Sequence, residues 1–170
     1  MKRLMEFDAT EKFLTRPLEY DTNILQKGGK YKVYKSAVIL TPGIWHDMMT
    51  RADVKWSEIK IKAFATNWIT DYINLGHEHH PTDFVGKVAN PRYIDGALRG
   101  DLCINKNLSR GKDVIEGIDE GILNQVSVEV ISEDYWDSNE MIRCADNLKF
   151  MGVSIIGPYP PPACKDVKIR

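Results

Sequence analysis

Gln125-Val126-Ser127-Val128-Glu129-Val130-Ile131 alternates apolar and polar side chains, the period of an extended strand with one buried face. Val126, Val128 and Val130 turn to one side, so Ser127 and Glu129 share the other. A strand that brings a hydroxyl and a carboxylate together is the starting point for both the fold and the chemistry. Outward from it, the stretches 141–145 and 148–156 read as further strands, separated from the first by the acidic segment 132–140. Upstream, Tyr31–Leu40 is rich in β-branched and aromatic residues and stops at Thr41-Pro42-Gly43, a strand followed by a turn. The segments 84–88 and 97–104 read as two more strands.

Two segments carry helical spacing. Between 57 and 72, Ile59, Ile61, Phe64, Ala65, Trp68 and Ile69 recur at an approximately helical period, with Ser57 placed to cap the first turn. Between 113 and 123, Val114, Ile115, Ile118 and Ile122 fall on one side, with Gly121 near the end. The proline-rich stretch 158–162 resists both helix and central strand. The expected architecture is α+β: a mostly antiparallel β-sheet or barrel-like core with two or three flanking helices. Residues 1–30, with Pro17 and Gly28-Gly29, read as an N-terminal arm or edge segment, and residues 31–170 as a single domain.

Composition narrows the classes of function. A chain of 170 residues, 43% apolar and 28% charged, has the balance of an ordinary globular domain. A net charge of -1 and a pI near 6.4 give no electrostatic reason to expect nucleic acid or an anionic membrane as partner. Cys103, Cys144 and Cys164 are an odd set without Cys-x-x-Cys spacing, which suits neither a disulfide framework nor a thiolate zinc site. No apolar run reaches the length a bilayer requires.

The chemistry-bearing residues cluster after Ile73-Asn74-Leu75, where Gly76-His77-Glu78-His79-His80 opens a loop at the end of an apolar run. A hydroxyl is a weak nucleophile until a neutral imidazole accepts its proton. Ser127 is the candidate nucleophile and His77, held between Leu75 and the loop, the candidate base. A third group that orients the imidazole could be Glu129, Asp101 or His79. His46 reads as a surface or partly packed residue, and Ser154, inside an apolar strand, as structural. Gly152 reads as a place for close backbone approach. A rival reading uses His77, His79 and His80 as ligands of a metal-dependent hydrolase.

In chain order, Ile73-Asn74-Leu75-Gly76-His77, Val85-Gly86-Lys87-Val88, the helical segment 113–123, Val126-Ser127-Val128, Phe150-x-Gly152-Val153-Ser154-Ile155-Ile156 and Pro162-Ala163-Cys164 resemble the prohead maturation proteases of tailed phages. That family is similar in fold to the assemblin-like capsid-assembly proteases of herpesviruses. The resemblance implies a serine endopeptidase with Ser127 as nucleophile and His77 as general base, needing no cofactor and no metal. It implies scaffolding and major capsid proteins as substrates, inside a procapsid assembling in the host cytoplasm, and leaves a homo-oligomer open as the functional unit. Nucleic acid and membrane are not expected as partners. Family members commonly carry the third catalytic residue on the strand corresponding to 148–156, where this chain has Gly152 and neither acid nor histidine. A catalytically inactive, scaffold-associated structural protein of the same fold is the alternative that this departure raises.

Overall fold

Every site residue of interest depends on one six-stranded sheet, whose strands are drawn from both halves of the chain. The computed structural model describes residues 21–47, 50–157 and 169. In chain order the elements are α1 (Thr22–Lys27), β1 (Tyr31–Leu40), β2 (Gly43–Asp47), β3 (Ala52–Trp56), α2 (Glu58–Phe64), β4 (Trp68–Leu75) and a 3-10 turn (Pro81–Asp83). They continue with β5 (Phe84–Ile94), β6 (Ala97–Asn105), α3 (Ser109–Asp119), β7 (Gln125–Ile131), β8 (Tyr135–Asp137), β9 (Ile142–Cys144) and β10 (Lys149–Ile156). The α+β class with a mainly antiparallel, curled half-barrel sheet and, among the described residues, three helices is as the alternating segments imply.

The large sheet runs β1-β6-β5-β4-β10-β7. All its pairings are antiparallel except that of β10 with β4. The last strand therefore inserts between β4 and β7 and sets their relation. A smaller sheet, β2-β3-β9-β8, packs beside it. Ile39, Ile61, Ile73, Val85, Leu98, Leu102, Ile104, Phe150 and Ile155 are fully buried between the elements. Each contributes about 1.5–3 kcal/mol by leaving water, so the apolar face of each strand fixes which face is left for polar groups. Trp68 stacks on Phe150 with ring centroids 5.2 Å apart and ties β4 to β10.

Bulges curve the sheet. β1 is irregular between Tyr34 and Ala37 and β5 between Ala89 and Arg92. At these points Ser36 and Asn90 take left-handed backbone, with φ of 57° and 50°. Asp101 on the intervening β6 holds both, accepting from Ser36 N–H at 2.9 Å and Asn90 Nδ2 at 3.0 Å. The Thr22 hydroxyl on α1 also donates to Asp101, at 3.4 Å.

Three expectations need correction. The helix expected over 57–72 ends at Phe64, and Trp68–Leu75 is strand β4. Ser57 does cap α2, its Oγ accepting from Lys60 N–H at 3.3 Å. Beyond it the aromatic and β-branched residues of 68–73 pair with β10 and β5, and this tertiary pairing outweighs helical spacing. The second helix is displaced toward the N-terminus, Ser109–Asp119 rather than 113–123. Ile122 and Leu123 fold back so that both N–H groups meet the Gly117 carbonyl, leaving Ile122 exposed. Within 132–140, read as irregular, lies the short strand β8. Residues 1–20 of the expected arm and the proline-rich 158–162 lie outside the described residues, as does Cys164, while Cys103 and Cys144 are free and buried. No helix among the described residues is long and apolar enough to cross a membrane.

Candidate active site

On β4, β10 and β7 two rows of residues run across the sheet. Tyr72, Gly152 and Glu129 form one, and Asn74, Ser154 and Ser127 the other. Because side chains two apart in a strand share a face, the strand reading of 125–131 that placed Ser127 beside Glu129 holds. Val153, between Gly152 and Ser154, and Ile155, next after Ser154, face the core with Val126 and Ile73.

The centre of the cluster is the Glu129 carboxylate, with only 13% of its side chain exposed. Its Oε2 accepts the Tyr72 hydroxyl at 2.5 Å. Its Oε1 accepts the Ser154 hydroxyl and meets His79 Nε2 at 2.9 Å, with His77 Nδ1 at 3.7 Å. Burial alone pushes this carboxyl up. The hydrogen bonding and charge of His77, Ser154, Tyr72 and His79 outweigh it and hold the group down at about 2. Glu129 is thus an ionised acceptor at neutral pH. Burial, and then the bond to Glu129, push the Tyr72 phenol well above its usual range, so it stays a donor.

The histidine loop is anchored at its start. Gly76 N–H donates to the Ile155 carbonyl at 3.0 Å, and Asn74 Nδ2 donates to the Gly76 carbonyl at 2.9 Å. At its far end the Asp83 N–H closes onto the His80 carbonyl at 2.8 Å and leads into β5. Between these ties His79 takes left-handed backbone, φ 55°. Its ring stands edge-on to Tyr72 and Phe84, with centroids 5.8 Å and 6.3 Å away. The His77 and His79 side chains remain 54% and 41% exposed.

The structure thus gathers His77, His79 and Glu129 around one oxygen atom. Ser127 lies on the same face, half-buried, and no hydrogen bond of its hydroxyl is found among the described residues. Asp101 is elsewhere, on β6, engaged by Thr22, Ser36 and Asn90, with Arg92 Nη1 at 3.8 Å. His80 pairs with Glu78 at 3.3 Å. Among the described residues no group of three or more His, Cys, Asp or Glu is arranged to hold a metal, so the arrangement expected of a three-histidine metal hydrolase is not formed. His46 is exposed and meets Asp53 at 3.0 Å. Sequence reasoning missed two participants. Ser154, which the sequence marks as structural, is the hydroxyl in contact with Glu129, and Tyr72, at the end of the segment with helical spacing, donates to the same carboxylate from β4. The only local signal for Ser154 was its spacing from Gly152.

A half-buried carboxylate, two partly exposed imidazoles and a serine hydroxyl on the same strand face as the carboxylate are the residue types that general-base catalysis on a serine uses. The His77 approach has the polarity such catalysis uses. Nδ1 is the ring nitrogen that faces the acid. No family model matches the chain, and no curated protein matches it. Among solved structures it is similar to the bacteriophage T4 capsid assembly protease gp21, at 11% identity and a TM-score of 0.48, over 75% of this chain and 97% of that one.

Proposed function

We propose that the chain is a serine endopeptidase of phage capsid maturation that cleaves scaffolding and major capsid proteins within the procapsid. Ser127 is the nucleophile, His77 the general base and Glu129 the acid that orients it. The observation that carries the reading is the Glu129 carboxylate, half-buried, ionised and 3.7 Å from His77 Nδ1, on the same strand face as Ser127. The ordered motifs of the sequence supply the substrate class. Ser154 is fully buried and commits its hydrogen to Glu129, whereas Ser127 is half-buried, so Ser127 is the hydroxyl a peptide can reach.

In the proposed reaction His77 Nε2 takes the Ser127 proton as Oγ attacks the scissile carbonyl, and Glu129 stabilises the imidazolium that forms. The proton passes to the leaving amine, and water then releases the acyl group by the same route in reverse. Backbone N–H groups stabilise the tetrahedral oxyanion. The alternative of an inactive structural component was motivated by the lack of an acid on β10. Glu129, paired across from Gly152, supplies that carboxylate from the neighbouring strand.

Co-expression of the full chain with its cognate scaffold and capsid proteins tests the reading. Cleavage that disappears in Ser127→Ala is the expected result. If the native chain and the variant both leave the partners intact, the structural role replaces the protease.

A further inference from the structure

Tyr72 and Glu129 lie on strands that are not neighbours, because β10 runs between them and Gly152 pairs with both residues. Adjacent strands are about 4.8 Å apart, so the two backbones are separated by roughly 10 Å of sheet. Their side chains can meet only by reaching over the middle strand where it presents no side chain. Both conditions hold. The Tyr72 hydroxyl reaches Glu129 Oε2 at 2.5 Å. A Cβ on Gly152 would sit 2.4 Å from the Tyr72 carbonyl oxygen and 2.6 Å from its ring. Two residues along the same face, Ser154 is fully buried and donates to the other oxygen, Oε1.

We propose that Tyr72 and Ser154 are positioning residues of the hydrolytic site, bridged over the gap at Gly152 so that they hold the Glu129 carboxylate in place with Oε1 turned to the imidazoles. This rests on the hydrolase reading above. Hydrogen bonds to an ionised acceptor are stronger than neutral ones and favour the charged form. With one oxygen tied to the phenol and the other to the serine, the carboxylate cannot rotate away from the histidine loop. Tyr72 also packs edge-on against Phe84, centroids 5.3 Å apart, which fixes the direction of its hydroxyl.

The deciding experiment is a carboxyl-carbon NMR titration of the full chain labelled on glutamate, with the Glu129 signal identified by its loss in Glu129→Gln. It is run beside kcat and KM for cleavage of the cognate scaffold protein at neutral pH. In Tyr72→Phe, which keeps the ring, and in Ser154→Ala, the Glu129 signal is expected to titrate about one unit higher than in the native chain. In the same variants kcat should fall by roughly tenfold to a hundredfold with KM little changed. Gly152→Ala should reproduce the shift, but its methyl also crowds the Tyr72 carbonyl and disturbs folding, so Tyr72→Phe decides. A Glu129 signal that stays in place in both variants, or a loss that falls on KM with kcat unchanged, overturns the inference. A native chain that cleaves nothing while the signal moves overturns the hydrolase reading and, with it, the positioning role, so the two failures are told apart.

Discussion

Glu129 Oε1 is approached by two imidazoles through different nitrogens, and this difference separates their roles. His79 presents Nε2 at 2.9 Å while edge-packed against Tyr72 and Phe84, which commits it to the carboxylate. His77 presents Nδ1 at the longer 3.7 Å, and its side chain is the more exposed of the two. A proton acceptor in the transition state contributes about 10²–10⁴-fold, whereas one bond to a charged acceptor contributes roughly ten- to a hundredfold. His77→Ala is therefore expected to reduce kcat by about 10²–10⁴-fold, and His79→Ala by roughly tenfold. Covalent labelling with a fluorophosphonate, located by mass spectrometry, checks the same assignment independently of substrate. The label should sit on Ser127, slow sharply in His77→Ala and persist in His79→Ala. Equal loss in both variants would remove the distinction, and faster loss in His79→Ala would reverse it.

Strand β7 was legible because its apolar residues repeat at the period of a half-buried strand, and the pairing of Ser127 with Glu129 on one face followed from that period alone; β10 was legible as a short, apolar, largely buried run. β4 was not. Phe64, Ala65, Trp68 and Ile69 continue the helical spacing of α2, and only pairing with β5 and β10 makes 68–75 extended. The place of Tyr72 and Ser154 in the site depends on the register of β10 between β4 and β7, a long-range fact that no local spacing encodes. The start of α3 was missed for a related reason. Gly111, in its first turn, lies where a Cβ would be 2.0 Å from the Asn105 carbonyl oxygen, so the helix is docked by close approach to β6 rather than announced by a cap. Helix propensity alone would favour Gly111→Ala by about 1 kcal/mol. Forcing a methyl against a fixed backbone carbonyl costs about 1–3 kcal/mol or more, so the net effect should be destabilising. Thermal unfolding measures the sign, and a raised Tm would show that α3 is not seated as described.

Across the whole molecule, the site exists only when three distant segments are assembled, so the environment of Glu129 is lost completely on unfolding. In the unfolded chain its carboxyl returns to the ordinary value of 4.5, against about 2 in the fold. Between those values the unfolded state binds the extra proton, and the folded state gains stability as pH rises through the window. The contribution is fully present above pH 4.5 and is lost as pH falls toward 2. A shift of this size on a side chain only 13% exposed corresponds to on the order of 3 kcal/mol, a large part of the 5–15 kcal/mol typical of a domain. Asp119, lowered by its bonds from Lys32 and Tyr34, and Asp146, lowered by Lys60, give slope of the same sign. Both are solvent-facing and unaffected by a change at Glu129, so they form a common background. Denaturant unfolding followed from neutral pH into this window should therefore give a steeper loss of stability for the native chain than for Glu129→Gln. The two curves should be furthest apart at neutral pH and converge in acid. Parallel curves would mean that Glu129 is solvated like any surface carboxylate, because only a group whose charge the fold itself stabilises can make acid act on the two proteins differently.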